Sequence, residues 1–390
     1  MLPPRAILLA LMCAISPVTA TTASPAAAGS CTSSVPFTSG TEGYHTFRIP
    51  AVVRTRFGSV LAFAEARRDS AGDSGAIAVV SKTSHDGGCS WGPLSVVSSN
   101  GDATAGNPSP AVAWNGDIVL LTTRNGRVTE KQIMSGAASA ADTRRVFVQR
   151  STDGGRSWSP ARDITADTKA ANWRWYATGP GHAIVLQHGV HAGRIVVPSN
   201  HSSAPPEGSP DVGTEAKYYG GHAIISDDGG RTWRIGFTDG PVDGIIAPNE
   251  STVAELSNGV LYFNSRNQGS APQHRVDAYS SDGGESLDAP YAVQDTLVTP
   301  KVEGSVLPAR GALFYSGPSQ ANTRAAMRIR VSHDDGATWA DGYSVSTLPA
   351  AYSDLVQLDP ATLGLLYETG STGPYETMVF QRIPLREVGP

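Results

Sequence analysis

The chain has 390 residues, 40% hydrophobic and only 17% charged, a balance that excludes both a disordered polypeptide and a membrane-spanning one. A formal net charge of −5 lacks the basic character expected of a protein that binds nucleic acid or anionic membranes. With 42 glycines and 27 prolines, the composition favours many short strands joined by tight turns.

The first segment has the pattern of an export signal. Met1 to Arg5 supply a short basic start, Ala6 to Ile15 an apolar run, and Val18-Thr19-Ala20 and Ala26-Ala27-Ala28 offer small-residue cleavage sites. The pattern predicts a secretory signal over residues 1–28 and a secreted, extracellular protein. The run is too short to span a bilayer. Cys13 lies inside it and Cys31 well beyond it, so a lipid-modified anchor is not expected. Cleavage would leave Cys31 and Cys89, an even pair in an oxidising compartment, which leaves both a disulfide and two separate thiols open.

Further along, Ser-x-Asp-x-Gly-x-x-Trp recurs at Ser84–Trp91, Ser151–Trp158, Ser226–Trp233 and Ser332–Trp339, with a fifth copy at Ser280–Leu287 that has lost its Trp. Asp followed by glycines supplies a side chain that bonds the turn's own amides and positions open to positive φ, while Trp packs the turn onto its sheet. Each copy follows a strand-like run, and the spacing of roughly 50 to 75 residues suits one four-stranded blade. The expected fold is all-β, a six-bladed β-propeller forming one domain over residues 29–390. The strand around Phe47–Val53 needs a neighbour across the seam, and the strand around Met378–Leu385 is its expected partner. Propellers host many functions, so function must come from particular residues.

Phe47-Arg48-Ile49-Pro50, followed by the repeated turns, resembles the exo-α-sialidase (neuraminidase) family over nearly the whole mature chain. The resemblance implies three arginines from distant blades that bind the substrate carboxylate: Arg48, Arg266 in Asn264-Ser265-Arg266-Asn267, and Arg324, with Arg328 as a rival for the third place. A planar, permanently charged fork pairs bidentately with a carboxylate. Glu368 is similar to the acidic residue that orients the first arginine. Tyr352, in Ala351-Tyr352-Ser353-Asp354, matches the family's nucleophile. A phenol suits an anomeric carbon that itself bears a carboxylate, because an anionic nucleophile would be repelled. Its expected base is Glu250. Asp73 is the implied acid/base, with Asp69 as local competitor, and Arg67 resembles a further arginine beside the acid.

Other signals are weaker. Trp173, Trp175 and Tyr176 suit either a substrate subsite or blade packing. His188 and His191 have no third ligand in view, so no metal site is expected. Asn200-His201-Ser202 fits a glycosylation acceptor in a eukaryotic host. Outward-facing strand positions are expected for Arg328 and Arg330. No P-loop or dinucleotide pattern is present, and no cofactor is expected. The resemblance implies a glycoside hydrolase acting on terminal sialic acids of glycoconjugates, and a monomer is expected. A trans-sialidase, an enzyme for a related nonulosonic acid and a non-catalytic glycan-binding propeller are the alternatives.

Overall fold

The computed structural model describes residues 1–2, 31–240, 244–270 and 273–389, so the expected leader lies outside the described residues but for its first two. A leading strand, β1 (Ser33–Thr38), precedes β2 (Thr46–Arg54), β3 (Val60–Arg67), β4 (Ile77–Ser84) and β5 (Ser95–Ser98). The next set is β6 (Thr104–Val112), β7 (Ile118–Asn125), the short helix α1 (Glu130–Met134), β8 (Arg145–Ser151) and β9 (Arg162–Asp163). After helix α2 (Thr165–Thr168) come β10 (Trp173–Thr178), β11 (Ile184–Val185), β12 (Ile195–Ser203), β13 (Tyr219–Ser226) and β14 (Arg234–Asp239). Then follow β15 (Pro248–Glu255), β16 (Leu261–Asn267), β17 (His274–Ser280) and β18 (Ala292–Val298). β19 (Ser305–Ala309), β20 (Ala312–Pro318), β21 (Met327–Ser332) and β22 (Ala340–Ser344) lead to β23 (Ala350–Asp359), β24 (Thr362–Thr369) and β25 (Thr377–Pro384).

The strands form a β-propeller. The inner strand of one set packs on that of the next, from β2 to β6, β6 to β10, β15 to β19, β19 to β23, and β23 back to β2. Among the described residues the hydrogen-bonded sheets number five, not the six expected, because β2–β9 join in one eight-stranded sheet. That join is a single parallel residue pair, Ile77 with Thr104, and the sets on either side of it are antiparallel.

The alternation of strand side chains explains the packing, since the two faces of each sheet bury against neighbours on both sides. Val53, Leu61, Phe63, Ile118 and Leu120 fill one such layer, and Val253, Leu261, Phe263, Val196 and Ile225 another. At the seam, Phe47, Val52 and Val60 pack with Leu366 and Phe380. Each such side chain contributes about 1.5–3 kcal/mol on burial.

The seam itself corrects an expectation. β25 does pair across the ring, but with β1 rather than the Phe47 strand, with Ser33 opposite Gln381 and Phe37 opposite Met378. The Phe47 strand is an inner strand, whereas the exposed edge that needs a partner is the outer one. A disulfide between Cys31 and Cys89, with Cα atoms 5.6 Å apart, ties the start of β1 to the first repeated turn.

The repeats are structural turns. In the first, Ser84 Oγ donates to Asp86 Oδ1 at 2.7 Å and accepts the Gly88 amide at 2.8 Å, while the Asp86 carboxylate takes the Cys89 and Ser90 amides. Gly87 and Gly88 adopt φ of 73° and 93°, which suits glycine. The copy that lacks Trp keeps the same bonds through Asp282, so the turn does not depend on the indole.

Candidate active site

Five inner strands break register where they reach one end of the propeller axis, β10 between Trp173 and Tyr176 among them. The other irregularities fall between Arg48 and Ala51 in β2, Gly106 and Ser109 in β6, Pro248 and Ser251 in β15, and Ala350 and Ser353 in β23. Such a bulge re-aims a side chain and leaves amides unpaired. Side chains receive them: Glu368 accepts the amides of Ile49 at 2.8 Å and Tyr352 at 3.1 Å, and Glu65 Oε1 accepts that of Asn107 at 2.9 Å. Arg48, Asn107, Glu250 and Tyr352 thereby turn from their sheets into a common cleft of about 660 Å³.

Seven of the eight residues singled out in the sequence line this cleft: Arg48, Arg67, Asp73, Glu250, Arg266, Arg324 and Tyr352. The eighth, Glu368, lies fully buried behind Arg48 and grips it bidentately, with Nε to Oε1 at 3.0 Å and Nη2 to Oε2 at 3.1 Å. Burial works against the charge on Arg48, but Glu368, together with Tyr352 and Tyr375, outweighs it and raises the arginine above its ordinary value.

The Tyr352 hydroxyl donates to Glu250 Oε1 at 2.5 Å. Arg266 Nη1 lies 2.9 Å from the other carboxylate oxygen and 3.2 Å from the phenolic oxygen. Burial and the Glu250 charge hold the phenol well above its ordinary pKa, against the pull of three arginines, so it rests protonated. Arg324 donates from Nη1 to the Tyr375 hydroxyl at 2.8 Å and from Nη2 to the Lys301 carbonyl at 2.9 Å. The guanidinium carbons of Arg48 and Arg324 lie 4.9 and 5.5 Å from the Tyr352 ring centre, so the three arginines converge on the phenol.

Asp73 sits on the loop after β3, its side chain exposed, 2.7 Å from Arg67 Nη1 and 3.9 Å from Arg48 Nη1. Desolvation disfavours its charge, yet Arg67 and then Arg48 outweigh that and lower its pKa. Arg67 itself is buried at the end of β3. Glu65 Oε2 accepts its Nε at 3.1 Å and its Nη2 at 2.7 Å.

The rival residues lie elsewhere. Asp69 pairs with Arg68 on the surface. Arg328 and Arg330 both pair with Asp341, and Arg330 is buried rather than outward-facing. Trp175 lines the cleft, whereas Trp173 and Tyr176 pack between sheets. Asn200 is fully buried, which rules out a glycan on its side chain. His188 pairs with Glu255, and among the described residues no group of His, Cys, Asp and Glu is arranged to hold a metal ion.

Sequence reading missed part of the site. Glu65 shares a strand face with Arg67, and that two-residue spacing on β3 was the available signal. Glu130 enters on helix α1, where Thr129 and Gln132 form a capping box, and its carboxylate accepts the Tyr219 hydroxyl at 2.9 Å. Burial raises its pKa. Arg144 stacks 4.0 Å from the Trp175 ring centre and donates to Thr123, Asn125 and Asn107, and burial lowers its pKa to about 10. Glu130 and Arg144 come from the connection between β7 and β8, which carries no repeat.

The BNR repeat-like domain matches residues 58–365. The chain is 31% identical over 354 residues to a sialidase of Micromonospora viridifaciens, covering 85% of this chain and 51% of that protein, so it spans about half of that relative. It is 32% identical over 317 residues to an exo-alpha-sialidase of Aspergillus fumigatus, covering 76% of this chain and 70% of the relative. A Hadza microbial sialidase shares the fold at a TM-score of 0.75 and 24% identity, over 90% of this chain and 68% of that one. A leech intramolecular trans-sialidase shares it at 0.74 and 16% identity, over 90% and 70%.

Proposed function

The chain belongs to the sialidase family of glycoside hydrolases, and on that premise we propose that it is a retaining exo-α-sialidase that cleaves terminal sialic acids from glycoconjugates through a tyrosyl-enzyme intermediate. Arg48, Arg266 and Arg324 would bind the substrate carboxylate, which also relieves their mutual repulsion. Tyr352 attacks the anomeric carbon while its proton passes to Glu250, and Asp73 protonates the departing glycosidic oxygen. In the second half, Asp73 takes a proton from water, the water oxygen displaces Tyr352 from the anomeric carbon, and Glu250 returns the phenolic proton. Configuration is retained because two displacements occur.

The observation that carries this reading is the 2.5 Å contact between Tyr352 and Glu250 at the point where the three arginines converge. Every group it needs comes from one chain, which supports action as a monomer. Proton NMR of an aryl α-sialoside during turnover tests it: the first sugar released should be the α-anomer. Release of the β-anomer would exclude retention, and no release from a folded protein would leave a glycan-binding propeller. Mass spectrometry of the products separates hydrolysis from transfer.

Two further readings belong with this one. The ring has six blades if the eight-stranded sheet is divided at Ile77 and Thr104, where only one residue pair joins β2–β5 to β6–β9. Export is supported by the leader pattern and by the Cys31–Cys89 bond, which an oxidising compartment favours.

A further inference from the structure

Two of the three converging arginines have a carboxylate of their own: Glu368 for Arg48 and Glu250 for Arg266. Arg324 pairs with no carboxylate among the described residues; a phenol occupies that place. The Tyr375 hydroxyl accepts Arg324 Nη1 at 2.8 Å, and the face of the same ring lies 4.1 Å from the guanidinium carbon of Arg48. One side chain thus touches an arginine on β2 and an arginine in the connection between β20 and β21, through its π face and through its oxygen.

Tyr375 is itself fixed from outside the cleft. It sits in the turn between β24 and β25, where the Glu376 carboxylate accepts the amides of Ser371 at 2.9 Å, Thr372 at 2.8 Å and Gly373 at 3.1 Å. Ser39, just past β1, donates its hydroxyl to the Tyr375 carbonyl at 2.8 Å and its amide to the Glu376 carbonyl at 2.9 Å. Its backbone is therefore held by a strapped turn, and its ring packs against the apolar cluster of Ile49, Val302, Ala351 and Tyr352.

A third carboxylate at this position would neutralise the remaining cation and compete with an anionic ligand for the same N–H groups. A phenol accepts one N–H while carrying no charge, and its ring stabilises the second guanidinium through the π face. We propose that Tyr375 is a positioning residue that sets Arg48 and Arg324 as a preformed fork for a carboxylate while leaving the fork's positive charge uncancelled. The inference rests on the sialidase reading and extends it to a residue outside the motifs that led there.

The test is steady-state kinetics of the full chain and its Tyr375→Phe and Tyr375→Leu variants on an aryl α-sialoside. Calorimetric binding of free sialic acid and of its methyl ester accompanies it. Losing one charge-assisted hydrogen bond should raise KM about 5- to 20-fold in Tyr375→Phe with kcat within about twofold. Acid binding should weaken by the same factor and ester binding should not change. Tyr375→Leu, which also removes the ring, should lose more. An unchanged KM in Tyr375→Phe, a loss confined to kcat, or equal weakening of acid and ester overturns the proposal. If the wild-type chain fails to cleave the sialoside, the functional reading fails instead, and the comparison of acid with ester still decides whether the fork is positioned.

Discussion

The Tyr352 hydroxyl and the Glu250 carboxylate meet at 2.5 Å, and a single nitrogen of Arg266 lies within hydrogen-bond reach of both partners. A phenol with a raised pKa is a poor nucleophile unless its proton leaves as the new bond forms, and here the acceptor is already in contact. Tyr352→Phe and Glu250→Gln should each lower kcat by about 10³-fold or more, with little change in the binding of free sialic acid. Since the two residues act as a unit, the double variant should be hardly worse than either single one. Losses that simply multiply, measured as kcat of the three variants, would show that the contact is not the proton route.

Glu368 has a different task. It is fully buried and accepts four donors: two from Arg48 and the amides of Ile49 and Tyr352. Glu368→Ala would leave a buried guanidinium without its counter-charge, at a cost of about 3–5 kcal/mol. Urea unfolding should show that loss, alongside a raised KM. An unfolding midpoint unchanged in Glu368→Ala would mean that Arg48 finds another partner.

Asp73 presents a tension, because a general acid must be protonated, yet Arg67 and Arg48 lower its pKa. The lowered value confines the protonated acid to the low-pH side, so kcat/KM should fall as pH rises from acid toward neutral. Substrate carboxylate bound to Arg48 offsets one of those cations, so in the complex the alkaline limb of kcat should lie above that of kcat/KM. Replacing Arg67 by Met removes the larger stabiliser of the Asp73 anion, so its pKa rises and the alkaline limb of kcat/KM moves to higher pH. A pH–rate profile with an unmoved limb would assign the acid elsewhere.

What the sequence revealed and what it hid follow from range. Arg48 and the repeated turns were legible because a few adjacent residues carry their signal, and a turn closed by its own Asp needs no distant partner. Glu65 was legible in principle from strand alternation beside Arg67. Glu130, Arg144 and Tyr375 were not, because nothing local distinguishes them: the contact between Tyr375 and Arg324 spans 51 positions, and Glu130 meets Tyr219 across 89. The partner of the closing strand was misread for a related reason, as an inner strand and an outer strand look alike in hydrophobic pattern while only the outer one offers a free edge.

Away from the cleft, His201 on β12 and His222 on β13 meet with their Nδ1 atoms 3.2 Å apart, and His201 stacks 3.9 Å from Trp173. Burial lowers His201 to about 3 and, with the neighbouring ring, lowers His222 well below its ordinary value, so both are neutral when folded. In the unfolded chain they take up protons near pH 6.5, so the unfolded state binds more protons below that value. The stability their neutrality contributes is therefore whole above pH 6.5 and is lost progressively as pH falls toward about 3 for His201. The loss should approach about 1.4 kcal/mol per histidine for each pH unit below 6.5. Comparing pH 7 with pH 5 stays above the range in which ordinary carboxylates titrate, and groups with raised values such as His182 and Glu303 are common to the two proteins compared. A His201→Phe, His222→Leu double variant should unfold in urea with a smaller drop between those two pH values than the wild type. An equal drop in both proteins would place the acid sensitivity outside this cluster.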